Sequence, residues 1–553
     1  MTQMLQGLMQ DDFQLTLNHI RGRLRSCNQD AEIVTLLPDG SVTRATHAQL
    51  ADRVDRLARA LEHLGIERGD RVASFAWNNQ RHLELYFAAP CIGAVLHTLN
   101  IRLFEEQLTY IVNHAEDKAI FVDESLVPAL EKLVPTFDGV AHYVVMGEKD
   151  CDIGALPGAV RYEDLLERTD PAEPFEYPDL DERQAAALCY TSGTTGNPKG
   201  VLYSHRSISL HSSATLMSDG TALSRADRVL AVVPMFHANA WGLPYGAALA
   251  GADLILPDRF LGAEALAKLI AAERPTLMGC VPTIFNDLLR YADEHPEVDL
   301  SSLSNAACGG SAVPRQLMKD FEERHDVRIF QAWGMTETSP VATYSRPREG
   351  EGERERDDTY WADRAKQGRP LPWVELRLVG DDGREMPWDG VATGEIEVRG
   401  PWIASGYFRE EVTDEKFDSG WLRTGDIAAG DERGYVQITD RSKDVIKSGG
   451  EWISSVELEN ELMSHPDVVE AAVIAKPDER WAERPLCCVV LREQADAGAR
   501  ELVEHLRGRV AKWWLPDEFA FVAEIPKTSV GKFDKKVLRA RLAEDQLEGR
   551  VRI

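Results

Sequence analysis

None of the eight cysteines stands in a Cys-x-x-Cys pair, and only Cys487 and Cys488 are close in the chain. This spacing indicates neither a zinc site nor a disulfide framework, and it fits a reducing cytoplasm. Basic residues are in deficit. The 62 Lys and Arg against 91 Asp and Glu leave a formal charge of −29, which argues against nonspecific nucleic-acid binding and for a soluble, self-repelling surface. No Lys or Arg precedes Asp11-Asp12, so nothing at the start reads as a secretory signal. The long run without Asp, Glu, Lys or Arg, residues 229–252, holds two prolines, three glycines, a histidine and an asparagine. A spanning helix rarely tolerates that mixture, so the run reads as buried core carrying part of a site. A Gly-Lys-Ser/Thr triplet is also missing, which excludes the Walker A fingerprint.

The most informative stretch is Tyr190-Thr191-Ser192-Gly193-Thr194-Thr195-Gly196-Asn197-Pro198-Lys199-Gly200, which puts three glycines, four small hydroxyl residues and one lysine into one loop. Such a loop can lay backbone N–H groups and hydroxyls around a polyphosphate, with Lys199 as a point charge. The uncharged residues 185–189 just before it predict a short buried strand.

At 553 residues with 44% hydrophobic and 28% charged content, the chain suits roughly two to four globular domains. Residues 46–64 predict an amphipathic helix. Thr46 and Gln49 can form a capping box, and Leu50, Val54, Leu57, Leu61 and Leu64 make one stripe. A strand over 71–75 follows, and from there to about 328 short apolar runs alternate with helical patterns (229–233, 264–272, 276–281, 283–292), which argues for parallel sheets covered by helices. Residues 346–369 are charged and glycine-bearing and read as a solvated loop. Residues 387–435 predict a small β-rich subdomain. A boundary falls at Asp440-Arg441-Ser442-Lys443-Asp444, after which helix and strand patterns alternate over 456–463, 471–475, 486–491 and 500–510, enough for a separate small domain.

The phosphate-type loop resembles the signature of the acyl-activating, AMP-forming synthetase superfamily of acyl-CoA synthetases, adenylation domains and firefly-type luciferases. The similarity runs over nearly the whole chain and is greatest to bacterial medium- and long-chain fatty acyl-CoA ligases and to methylmercaptopropionate-CoA ligases. It implies an α/β fold: a large N-terminal domain of helix-covered sheets with a β-rich subdomain (1–440), and a small mobile α+β C-terminal domain (441–553). By the same resemblance the substrates are a fatty acid, ATP with Mg²⁺, and coenzyme A.

Each requirement of carboxylate activation has a candidate. Thr191, Ser192, Gly193, Thr194, Thr195, Gly196 and Lys199 meet the phosphates. Gln331-Ala332-Trp333-Gly334-Met335-Thr336-Glu337 resembles the adenine and magnesium motif. In it Trp333 walls the purine, Thr336 donates to a phosphate, and Glu337, paired with Thr191, is a hard ligand for Mg²⁺. Gly310, in Gly309-Gly310-Ser311, allows close backbone approach. Asp426, in Trp421-Leu422-Arg423-Thr424-Gly425-Asp426, accepts from the ribose hydroxyls, with Arg441 as second ribose contact. Lys443 occupies the hinge position, followed by Lys447, Gly449, Gly450 and Trp452, where the paired glycines permit a close pantetheine or acyl approach; taken alone, this segment also reads as a charged hairpin. Lys532, after Gly531, is the catalytic lysine that bridges the carboxylate and the α-phosphate, whereas Lys527, Lys535 and Lys536 read as solvated. On the acyl side, in Pro234-Met235-Phe236-His237-Ala238-Asn239-Ala240-Trp241-Gly242, His237 orients the carboxylate or packs, and Trp241 gates the tunnel or fills core.

The expected activity is acid–CoA ligation through acyl-AMP, on a medium- or long-chain fatty acid or else on 3-methylmercaptopropionate or a short acid. An adenylation module feeding a carrier protein and a non-catalytic nucleotide- or lipid-binding relative are the other classes. Expected partners are small molecules and a second copy of the chain, with no nucleic acid and no transmembrane segment; peripheral membrane contact stays open.

Overall fold

The computed structural model describes residues 8–169, 175–191, 197–347, 356–413, 415–441, 444–448, 451–478, 480–528 and 533–553, with the backbone alone of Lys447, Glu451 and Trp452. Among these residues the strands form sheets of seven, nine, five and six strands.

The seven-stranded sheet is parallel from Val160–Arg161 across to Ala185–Tyr190, and it closes on an antiparallel edge, Gly200–Ser204. The nine-stranded sheet has a parallel centre running from Ile329–Gly334 to Glu32–Leu36, with antiparallel strands at both margins. Strands buried on both faces need apolar residues throughout. The fully buried stretch Leu277–Cys280 meets that need; in Asn305–Gly309 the one buried polar side chain, Asn305, donates to the Thr221 carbonyl and accepts from the Tyr344 hydroxyl. Helices cover the sheets, and the expected helix is present as His47–His63, with Thr46 and Gln49 forming the reciprocal capping box and Leu50, Val54, Leu57 and Leu61 buried. The expected strands and helices at 71–75, 229–233, 264–272, 276–281 and 283–292 appear as Arg71–Phe75, Arg228–Ala231, Ala263–Glu273, Leu277–Cys280 and Pro282–Glu294.

The β-rich subdomain is a five-stranded antiparallel sheet that includes Glu375–Val379, Thr393–Arg399, Trp421–Gly430 and Val436–Arg441. Beyond it, the six-stranded sheet of the C-terminal region has its own core around Ile446, Leu458, Val473, Val489 and Phe519.

Within the stretch 346–369, residues 348–355 lie outside the described residues, and the part from 356 onward departs from the solvated-loop reading. Asp357 caps a helix, Asp358–Arg364, by accepting from the Tyr360 N–H, and Tyr360, Trp361 and Arg364 are buried. Tyr360 and Trp361 join the core of the nine-stranded sheet. The high charge of the flanking residues hides two large aromatic anchors.

Candidate active site

A cleft of about 1460 Å³ runs between the two large sheets, the β subdomain and the C-terminal region. It opens at the carboxyl ends of the parallel strands, where ligands of open α/β sheets bind. One end of it is a hairpin. Ala185–Tyr190 pairs antiparallel with Gly200–Ser204, and the pairing continues into the loop, where the Thr191 N–H donates to the Lys199 carbonyl at 2.9 Å and the Lys199 N–H to Thr191 Oγ1 at 3.0 Å. The two ends of the loop are thus fixed by each other. Ser192, Gly193, Thr194, Thr195 and Gly196 lie outside the described residues. The Lys199 ammonium pairs with Glu410 at 2.8 Å and lies 4.7 Å from the Tyr407 ring centroid.

Tyr407 links that lysine to the acid opposite. Its hydroxyl donates to Glu337 Oε1 at 2.6 Å, and burial, with the Glu337 carboxylate next, pushes the phenol pKa up. Glu337 is 5% exposed, and its other oxygen accepts no hydrogen bond from a described residue. The short helical turn Thr336–Thr338 that carries it is held by the Tyr203 hydroxyl, which donates to the Thr336 carbonyl at 2.6 Å.

At the other end, Asp426 and Arg441 face each other across paired strands, and Arg441 Nε lies 3.1 Å from Asp426 Oδ1. The indole N–H of Trp333 donates to Asp426 Oδ2 at 2.8 Å, so a residue read as an adenine wall also fixes the carboxylate read as the ribose acceptor. The Asp426 carboxylate is the main cause of the raised Arg441 pKa. Gln331 is a brace: it accepts from the Val313 N–H at 3.2 Å and from Gln367 at 3.1 Å, and donates to the Ala365 carbonyl. Gly310 adopts φ +85°, a conformation that suits glycine.

The apolar end adjoins this nucleotide-sized space. A Cβ on Gly309 would lie 2.5 Å from the Ala332 carbonyl and 3.2 Å from the Trp241 ring, so only glycine lets these three meet. Trp241 has φ +57°, within a run of positive-φ residues that extends from Ala238 to Gly242. Behind it the cleft is lined by Val232, Val233, Leu261, Cys280, Val281 and Ile284. His237 lines the same wall.

Profiles of two protein families match the chain: the AMP-binding enzyme over residues 25–408 and the AMP-binding enzyme C-terminal domain over 457–532. The chain belongs to the AMP-binding enzymes. It is 45% identical over 519 residues to a 3-methylmercaptopropionyl-CoA ligase of Ruegeria lacuscaerulensis, covering 94% of this chain and 95% of the relative. It is 48% identical over 514 residues to a long-chain-fatty-acid–CoA ligase of Thermus thermophilus, with 92% of each covered. The identity is 43% over 514 residues to a medium-chain-fatty-acid–CoA ligase of Ectopseudomonas oleovorans, with 93% of each covered. Among solved structures, the anthranilate CoA ligase AuaEII in complex with anthranoyl-AMP superposes with a TM-score of 0.85 at 27% identity, over 97% of this chain and 99% of that one. ATP-bound MatB from Rhodopseudomonas palustris gives 0.81 at 26%, over 97% and 100%. The chain is an AMP-forming acyl-CoA ligase of the adenylating superfamily.

In this AMP-binding enzyme the fold brings Thr191, Lys199, Gly310, Gln331, Ala332, Trp333, Thr336, Glu337, Asp426 and Arg441 to one cleft with His237 and Trp241. Lys443, Gly449, Gly450 and Lys532 lie outside the described residues, as do the side chains of Lys447 and Trp452. Thr528 and Phe533, which flank the Lys532 loop, both line the cleft, and Lys527 and Phe533 bridge across the loop's base. The residues fit Mg²⁺. Among the described residues no cluster of three His, Cys, Asp or Glu forms a closed cage, and a single buried glutamate with one uncommitted oxygen suits an ion that takes one or two carboxylates and fills the rest with phosphate and water.

One reading is corrected here. Lys535 is not solvated. Its ammonium pairs with Glu459 at 2.7 Å and donates to Ser455 Oγ at 2.6 Å, with side chains only 12% and 9% exposed. Asp440, just before the position read as the hinge, accepts from the Ser455 N–H at 2.7 Å, and this bond joins the two regions. Sequence reasoning also missed Tyr407, Leu261 and Ile284. Tyr407 follows Gly406 directly, and the other two lie just past strand ends, signals that mean little until the strands are assembled.

Proposed function

We propose that this enzyme converts a medium- or long-chain fatty acid to its acyl-CoA. The observation that carries this reading is the junction at Gly309, Ala332 and Trp241, where an apolar channel meets a nucleotide-sized polar space. A chain seated among Val232, Leu261 and Ile284 presents its carboxylate beside the nucleotide end. A carboxylate oxygen then bonds to the α-phosphorus of ATP, the bond from that phosphorus to the bridging oxygen breaks, and pyrophosphate leaves with the electron pair. Thr191 and Glu337 would hold Mg²⁺, which when bound neutralises phosphate charge. Asp426 and Arg441 fix the ribose, Trp333 the adenine, and Thr336 and Lys199 the phosphates. Lys532 meets the charge that builds on the α-phosphoryl group, with His237 orienting the acid.

In the second half, residues 441–553 rotate about Lys443, carrying Lys532 out and the segment with Lys447, Gly449, Gly450 and Trp452 in. The coenzyme A thiolate attacks the acyl carbon, and AMP leaves. Closure keeps water from the mixed anhydride. We assign the enzyme to the cytoplasm, in keeping with eight free cysteines, and infer a homodimer with peripheral membrane contact at most. No described helix is long and apolar enough to cross a membrane.

A second reading, activation of 3-methylmercaptopropionate, draws support from the 45%-identical relative that carries that name. Each methylene buried contributes about 0.8 kcal/mol, so kcat/KM measured on straight-chain acids separates the two. A rise of up to about fourfold per added methylene through medium lengths supports the fatty acid. A maximum at 3-methylmercaptopropionate, with decline for longer chains, supports the second reading.

A further inference from the structure

Between the two anchors of the cleft stands a cation that the reading above leaves without a task. Lys416 lies in the segment between Tyr407 and the strand Trp421–Gly430. Its carbonyl accepts from the Arg423 N–H at 2.9 Å, and its own N–H donates to the Thr413 carbonyl at 3.1 Å, so its backbone is fixed from both sides. The side chain lines the cleft. The charges that act on it are Glu337, Glu395, Asp426 and Arg441. Three of these are committed elsewhere: Glu395 holds Arg423 at 2.5 Å, Asp426 holds Arg441 and Trp333, and Glu337 takes the Tyr407 hydroxyl. Among the described residues, none forms an ion pair or a side-chain hydrogen bond with the Lys416 ammonium. Burial pushes the ammonium pKa below its ordinary value, which an anion brought alongside reverses.

A half-buried cation that none of the described carboxylates touches is costly, and its placement says what satisfies it. A nucleotide whose ribose sits on Asp426, and whose metal-bound phosphates sit at Glu337, must run its phosphate chain through the space these two carboxylates bound. Lys416 faces that space. We propose that Lys416 binds the phosphate chain of ATP and the pyrophosphate that departs when the α-phosphorus bonds to the acid. This inference rests on the assignment of Asp426 and Glu337 to the nucleotide. It gives the β subdomain a fixed positive charge that stays with the phosphates whatever the C-terminal region does, in contrast to Lys532, which rotation removes.

The experiment measures both half-reactions in Lys416→Gln, which keeps the stem, and in Lys416→Arg, which keeps the charge. A charge-assisted contact corresponds to roughly a 10- to 100-fold change in affinity. Lys416→Gln is therefore expected to raise the KM for ATP, and the KM for pyrophosphate in the reverse reaction, by that factor. Thioester formation from supplied acyl-AMP should stay at the wild-type rate, and Lys416→Arg should recover most of the loss. An unchanged KM for pyrophosphate, or an equal fall in both halves, overturns the proposal. Asp426→Asn runs alongside. If it raises the KM for ATP while Lys416→Gln does not, the nucleotide frame stands and only the role of Lys416 falls. If Asp426→Asn leaves ATP binding unchanged, the frame and the proposal fall together.

Discussion

The Trp333–Asp426–Arg441 triangle shows how far single residues could be read. Each was singled out through a short motif that resembles the family's, and the resemblance, not the residue type, gave the expected role. That the indole donates to the same carboxylate the guanidinium meets depends on three strands being brought together, and no local spacing encodes it. Buried histidines were illegible for the same reason. His205 is wholly buried, accepts from the Leu17 N–H through Nδ1 at 3.2 Å, and is pushed by burial down to about 4. In the unfolded chain the ring gains its proton near pH 6.5. Between those values the unfolded state binds more protons than the folded one, so the contribution of His205 to stability falls as pH falls. His205→Gln keeps an acceptor without that liability. Its stability relative to wild type is expected to improve by up to about 1.4 kcal/mol per pH unit as pH is lowered from 6.5 toward 4, with no such trend above pH 7. Denaturant unfolding at a series of pH values measures the difference, and a flat difference contradicts the assignment.

Elements were legible where their signals are local. The capping box of Thr46 and Gln49 lies within one helical turn, and the strand Ala185–Tyr190 announces itself by lacking charge. The helix Asp358–Arg364 was missed because its exposed residues are charged and only two aromatics mark its buried face. The burial of Lys535 inside the C-terminal region was missed because its partner Ser455 is 80 residues away. There Lys535 balances Glu459, whose carboxyl burial pushes to about 7 even beside the ammonium. Lys535→Met strands that carboxylate in the interior, and removing one member of a buried pair costs about 3–5 kcal/mol. The expected result in calorimetry is an earlier unfolding transition for the region that contains Glu459. Adding Glu459→Gln, which keeps an acceptor for the Val473 N–H, should recover most of the loss. A Lys535→Met variant as stable as wild type would show that the pair does not hold the core of the C-terminal region.

At the scale of the whole molecule, the layered sheets were legible from alternating patterns, and the cleft was legible only as a set of motifs with no geometry between them. The depth of the apolar end could not be read, since Leu261 and Ile284 reach it from separate segments of the nine-stranded sheet's surroundings. The account depends on division of labour: the body holds acid and nucleotide, and the C-terminal region brings Lys532 for the first half-reaction alone. The roots of its loop, Thr528 and Phe533, already line the cleft. The most direct test is a single-turnover comparison of Lys532→Ala with wild type in the two halves. The account predicts that pyrophosphate release from ATP and acid slows by roughly 100-fold or more, while supplied acyl-AMP is converted to thioester at the wild-type rate. Equal slowing of both halves, or unimpaired pyrophosphate release, would contradict it.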